Sequence, residues 1–209
     1  MSEDEITKEK IFSACQDRFV REGFASISVD EIATDLAMSK KTFYKHFASK
    51  EDLVQQIMER FMGTIRSHVE HTLLSDKSAI EKLSEVFTMI ATNASRLAPA
   101  FGRDIQRRLP HLWKHIEDFR RQRISDVFTR LNRQGVEEGT MRAEMNERLF
   151  LMCILAAIDR IMQPEVLANE SFSVGGAIQE IIGIFFKGAL TQKGREQFEQ
   201  FQHTQHHIA

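Results

Sequence analysis

The sequence predicts an all-α protein in which two short helices near the start are followed by longer ones. Three observations carry this. Apolar residues recur at helical spacing along almost the whole chain. Alternating apolar and polar stretches and Asn-Gly or Asp-Gly hairpin turns are absent. Gly23, Pro110, Gly135 and Pro164 fall where periodic segments start or stop.

The first helix is expected from about Thr7 to Glu22, with Ile11, Phe12, Cys15, Phe19 and Val20 on one face and Gly23 as its left-handed stop. Ser28 followed by Glu31 forms a capping box for a short second helix bearing Val29, Ile32, Ala33 and Leu36, which ends near Ala37. Ser39 is a second N-cap, so a third helix starts at Lys40, and the pair with its tight turn reads as a helix-turn-helix. Ser49, with Glu51 and Asp52 in the first turn, opens a long helix from Lys50 to Leu74. Its apolar band includes Leu53, Ile57, Phe61 and Ile65 and is wide enough to touch two bodies, which makes it a bridge between an N-terminal domain and the rest. Further helices are expected at about Ser78 to Leu97, Ala100 to Leu109, Pro110 to Gln134, Glu147 to Met162 and Val174 to Thr191, with Gly135 as a C-cap. The domains are therefore placed at residues 1–50, 51–195 and a polar tail 196–209, whose closing histidines sit on a fraying helix end and make no metal site.

The chain carries 28 Lys and Arg against 30 Asp and Glu, a formal net charge of -2, so contact with a polyanion has to come from local charge. Cys15 and Cys153 stand far apart in apolar helical patterns, outside any zinc spacing, and are expected to be reduced core thiols of a cytoplasmic protein. The start MSEDEITKEK is acidic where a secretory signal is basic and then apolar. The longest apolar run, Leu149 to Ile158, is half the roughly 20 residues that a membrane span needs.

Local charge is concentrated in one place. Lys40, Lys41, Lys45 and Lys50 cluster in and beside the third helix, with no acidic residue between Asp35 and Glu51. Phe43 and Phe47, four apart, pack inward and leave Lys40, Lys41, Thr42, Tyr44, Lys45 and His46 on the other faces. A helix in a DNA major groove needs short polar or methyl-bearing groups toward base edges and cations toward phosphates. Thr42 fits the first role, while Tyr44, Lys45, His46 and Lys50 fit the second. Ser28 and Ser39 add backbone N–H groups at helix starts, which suit anions.

These residues resemble the DNA-binding domain of the TetR/AcrR family of bacterial transcriptional regulators. The resemblance rests on Phe19, Gly23-Phe24, Ser28-Val29, Ile32-Ala33 and SKKTFYKHFASKEDL, in order and spacing, over residues 7–53. Lys41 stands where many relatives carry glycine, and Leu36-Ala37-Met38 leaves the turn without a glycine. The resemblance implies an N-terminal three-helix DNA-binding domain and a larger helical domain that binds a small effector and dimerises through its last two helices. It also implies a repressor; no cofactor, no metal and no catalytic residue is expected.

The apolar run at Leu149 to Ile158 and the glycine-bearing helix from Val174, with Ile178, Ile181, Ile182, Phe185 and Phe186, fit burial against a second copy. A two-fold dimer presents two recognition helices about 34 Å apart to a palindromic double-stranded operator. Effector-pocket walls are expected from Phe61, Ile65, Phe87, Ile90, Trp113 and Phe119, and the many Phe and Met residues suit a largely apolar ligand. His68, His71, Asn93, Arg96, His111, His115 and Asp159 are polar candidates on the same elements. An enzyme is disfavoured, since no Gly-rich phosphate loop, HExxH or GxSxG occurs. The competing reading is a helical interaction module of the same fold that does not bind an operator.

Overall fold

The computed structural model describes residues 2–95, 99–163, 165–166 and 172–206. Among them the chain is helical throughout: α1 Glu3–Glu22, α2 Val29–Asp35, α3 Lys40–His46, α4 Lys50–Leu74, α5 Ala79–Ser95, α6 Pro99–Arg108, α7 Pro110–Glu137, α8 Glu147–Ile161, α9 Val174–Ala189 and α10 Gln192–His206. The sole extended pairing described is an isolated antiparallel bridge between Met141 and Leu190.

Two compact units emerge. The first comprises residues 1–64 and 96–116, the second 65–95 and 117–209. The first holds a core of Ile11, Phe12, Cys15 and Phe19 from α1, Phe24 and Ile27 from the following turn, Ile32 from α2, and Phe43 and Phe47 at α3. It reaches beyond residue 50, where the sequence placed the domain boundary, because Leu53, Val54, Ile57 and Met58 of α4 belong to that core. Phe101 and Ile105 of α6 and Leu112 of α7 complete it. Five of its phenylalanines (Phe19, Phe24, Phe43, Phe47 and Phe101) are fully buried. Each contributes on the order of 1.5–3 kcal/mol of apolar burial, which holds helices as short as α2 and α3 in place.

The second unit is built on Val69 and Leu73 of α4, Ile80, Leu83 and Val86 of α5, Val127, Phe128 and Leu131 of α7, Ile154 and Ile158 of α8, and the inner face of α9. Gly135, expected as a C-cap, lies inside α7, which continues to Glu137, and the left-handed backbone falls at Gly139 (φ 72°). A Cβ on Gly135 would stand 2.3 Å from Met141 Cγ, so this glycine serves the close return of the chain. The expected tail from residue 196 begins within α10, where Phe198 is buried in this core. The α10 start is pinned by Gly194, whose Cβ would meet the Thr140 carbonyl oxygen at 2.1 Å.

The two cysteines differ. Cys15 is buried, and desolvation pushes its thiol pKa up to about 11. Cys153, expected in the core, is exposed, because it lies on the outward face of α8 beside Leu149 and Met152, which are 56% and 61% exposed. No described helix is long and apolar enough to cross a membrane.

Candidate nucleic-acid interface

The candidate interface is assembled by two caps and one strained turn. At α2 the Ser28 hydroxyl accepts the Glu31 N–H (3.2 Å), and the Glu31 carboxylate accepts both the Ser28 N–H (2.6 Å) and its hydroxyl (2.8 Å). The turn into α3 is closed by Met38 N–H donating to the Ala33 carbonyl (2.9 Å), with Ala37 at φ 51°. That is the left-handed region, which costs a residue with a Cβ roughly 1 kcal/mol relative to glycine. Ser39 then caps α3 by accepting the Thr42 N–H at 3.1 Å, and its hydroxyl lies 2.9 Å from the Thr42 hydroxyl.

Orientation of α3 comes from Phe43 and Phe47, both buried, with ring centroids 5.7 Å apart. Their insertion leaves Lys40, Lys41, Tyr44 and Lys45 exposed and Thr42 and His46 half-buried, all within one short helix. Tyr44 is 52% exposed although its ring packs edge-to-face with Phe43, with centroids 5.5 Å apart.

The cations have different surroundings. Lys41 has no ion pair among the described residues. Lys40 pairs with Asp30 (2.7 Å) and Lys45 with Asp4 (2.6 Å), and the Lys45 hydrogen bond holds the Asp4 carboxyl below its ordinary pKa. All four side chains are more than half exposed, and solvent screening leaves such surface pairs weak. A phosphate can therefore displace the carboxylates at little cost.

Two expected contacts look different in the structure. Lys50 does not extend outward: its ammonium donates to the Phe24 carbonyl (2.7 Å) and the Ile27 carbonyl (2.5 Å) and lies 5.8 Å from the Phe24 ring centre. The flexible stem folds back because that turn leaves two carbonyls without helical partners. Ser28 likewise spends its N–H and hydroxyl on Glu31, which places a carboxylate at the start of α2. Ser39 keeps its capping role.

Side chains that sequence reasoning missed fix this unit. Arg18 ties α1 to α2 through Asp35 (2.7 Å), and Arg60 stacks over Phe12 (3.7 Å) while it grips Glu9 (2.6 and 3.0 Å). Asp104 of α6 accepts the Ala25 N–H at 2.7 Å, in space left by Gly23 (φ 82°), where a Cβ would meet that carboxylate oxygen at 2.7 Å. The left-handed stop at Gly23 is the half of that contact that a sequence can reveal.

The expected pocket residues divide between clusters. Phe61 and Trp113 pack on the first core, and Ile65, Phe87 and Ile90 on the second. Phe119 lies under the Arg66 guanidinium at 5.7 Å. Among the polar candidates, Asp159 is committed to Arg120 and Arg121 (2.7 Å each), and Asn93 donates to the Met89 carbonyl. His68, His71, His111 and His115 are exposed. Arg96 and the last histidine, His207, lie outside the described residues, and no group of three or more His, Cys, Asp or Glu among the described residues is placed to hold a metal.

Comparison with known proteins meets this geometry at the same residues. Residues 8–57 match the family model described as bacterial regulatory proteins, tetR family. The HTH-type transcriptional regulator UidR of Escherichia coli (strain K12) is 26% identical over 182 residues, which cover 83% of this chain and 91% of that protein. Among solved structures, a TetR-family transcriptional regulator from Agrobacterium tumefaciens superposes with a TM-score of 0.67 at 15% identity, covering 90% of this chain and all of that one. The regulator FadR from Bacillus subtilis, in complex with stearoyl-CoA, gives 0.61 at 18% identity, covering 85% and 96%. At these identities the structures establish the shared fold.

Proposed function

We propose that this chain, whose residues 8–57 match the tetR family of bacterial regulatory proteins, is a ligand-responsive transcriptional repressor of that family that binds a palindromic operator as a homodimer. The observation that carries the DNA-binding part is α3 itself: Phe43 and Phe47 anchor it, and Lys41, Thr42, Tyr44 and Lys45 stand outward in the arrangement a major groove requires. Thr42 and Tyr44 meet base edges and backbone, while Lys40, Lys41, Lys45 and His46 meet flanking phosphates.

Dimer formation is supported by the outward faces of α8 and α9. Leu149, Met152 and Ile184 are 56%, 61% and 69% exposed, a pattern that water does not favour and a second copy covers. Such a dimer sets two α3 helices one duplex turn apart, about 34 Å, and the operator is then an inverted repeat. The effector is a small, largely apolar molecule; only the acyl chain of the stearoyl-CoA held by FadR of Bacillus subtilis is of that kind. Its binding selects a conformation of α4 in which the paired recognition helices no longer match the groove spacing. By linkage, operator DNA weakens effector binding by the same factor.

Selection of purified protein against a random duplex library, followed by sequencing, tests the reading. Enrichment of an inverted repeat with half-sites one turn apart is the expected result. An unenriched pool would leave the interaction-module reading, and an asymmetric site would remove the two-fold dimer.

A further inference from the structure

Beyond α3, the first unit carries a second concentration of positive charge, at the corner between α6 and α7. Arg107, Arg108 and His111 are exposed there, and neither arginine has a carboxylate partner among the described residues. A solvated helix end is the ordinary fate of such side chains, since cations near a C-terminus complement the helix dipole. The register of α6 points elsewhere.

Helix α6 runs along the turn that leads into α2. Its Phe101 meets Phe24 edge-on at 6.2 Å, and one turn later Asp104 accepts the Ala25 N–H at 2.7 Å. Arg108 continues the same stripe, four residues beyond Asp104 and seven beyond Phe101. Two residues after Ala25 the chain reaches Ile27, immediately before the α2 cap at Ser28. Lys50, which clamps the carbonyls of Phe24 and Ile27, feels the Arg108 charge, which helps to lower its pKa behind the larger effect of burial. Of the acids that Lys50 feels, Asp104 is turned to the Ala25 N–H and Glu31 to Ser28, while Glu51 is its neighbour in the chain. Arg108 is thus an exposed cation on the stripe that carries Asp104, close enough to act on the Lys50 that holds the chain where α2 begins.

We propose that Arg108, with Arg107 beside it, is a second phosphate-contacting element of the DNA-binding unit and grips the duplex backbone flanking the groove that α3 enters. It rests on the operator-binding reading above. Arginine suits this task, because its fork meets phosphate oxygens bidentately and it stays charged at any physiological pH. The contact carries no sequence information: it adds affinity and salt dependence, and it needs duplex beyond the bases that α3 reads.

The test uses the full-length protein and the operator recovered by selection, in two lengths: one ending at the half-sites, the other extended by roughly 10 bp, one helical turn, on each side. Affinity is measured by fluorescence anisotropy over a range of salt concentrations for wild type, Arg108→Ala and Arg108→Lys. On the long duplex, Arg108→Ala should lower the slope of log K against log salt by about 0.9 per bound protomer, and Arg108→Lys should restore it. On the short duplex the variants should converge, and the selected sequence should stay the same throughout. Equal slopes for wild type and Arg108→Ala on both lengths would overturn the proposal. Failure of the wild type to prefer any duplex is a distinct outcome: it removes the operator-binding reading, and this proposal with it.

Discussion

Replacing Lys50 with methionine keeps an unbranched apolar stem and deletes the ammonium, so it isolates what the charge does. That group donates to two carbonyls, at 2.7 Å to Phe24 and 2.5 Å to Ile27. Charge-assisted bonds contribute about 1.5–3 kcal/mol each, a gross total of roughly 3–6 kcal/mol. Burial opposes this: desolvation is the leading cause of the lowered Lys50 pKa, and the side chain keeps part of its contact with water. A net loss of about 2 kcal/mol is expected, which for a chain of this size lowers the melting temperature by roughly 4–8 °C. Urea and thermal unfolding measure that loss, and a duplex titration over several salt concentrations measures the other half of the claim. A lysine engaged inside the turn leaves the salt slope unchanged when removed; one engaged with phosphate lowers it by about 0.9 per protomer. Wild-type stability together with a reduced slope would refute the clamp and return Lys50 to the DNA contacts.

Other substitutions separate the remaining roles. Ala37→Gly should stabilise the protein by about 1 kcal/mol, because glycine relieves the left-handed strain at φ 51°, and a lower urea midpoint would show that the turn is not strained. Lys41→Ala should weaken binding to every duplex and reduce the salt slope, whereas Thr42→Ala should change the selected sequence with little effect on salt dependence; identical behaviour would erase the division between phosphate and base contacts. Leu149→Lys combined with Ile184→Lys should convert the sedimenting species from dimer to monomer while helicity persists, and an unchanged dimer would place the interface elsewhere. Capping hydrogen bonds from Ser28 and Ser78 hold the Glu31 and Glu81 carboxyls below their ordinary value of 4.5. In the window below that value the unfolded chain binds more protons than the folded one, so this stability is complete above it and is lost as pH falls through the folded pKa values. Urea midpoints measured downward from neutral pH should show that decline, and Glu31→Gln should flatten part of it.

The helix-turn-helix is legible in the sequence because its signals are local. Ser39 with Phe43 and Phe47 defines the start, length and inward face of α3, and the charge pattern at its first turn marks where the helix from Lys50 to Leu74 begins. What escapes a sequence reading depends on partners distant along the chain. Periodicity marks Phe101 and Ile105 as apolar, but only packing against Phe24 and its neighbours assigns α6 to the first unit. An apolar face gives no sign of whether its partner lies in the same chain, which is why Cys153 reads as a core thiol and yet stands on the surface. Lysine misleads for a related reason: its long stem lets the same residue face solvent or fold back on carbonyls, and Lys50 does the second. Gly135 reads as a helix end because glycine commonly serves there, yet here it admits the Met141 side chain.

The central claim, that α3 and its surroundings form an operator-binding surface, is tested most directly by titrating purified protein against a fluorescent duplex from upstream of its own gene. A scrambled duplex serves as the control, and several salt concentrations are used. Tight binding to the upstream duplex, weakening steeply with salt and lost in Lys41→Ala with Thr42→Ala, is the expected result. Equal affinity for both duplexes, confirmed by a random-library selection that enriches nothing, would contradict it.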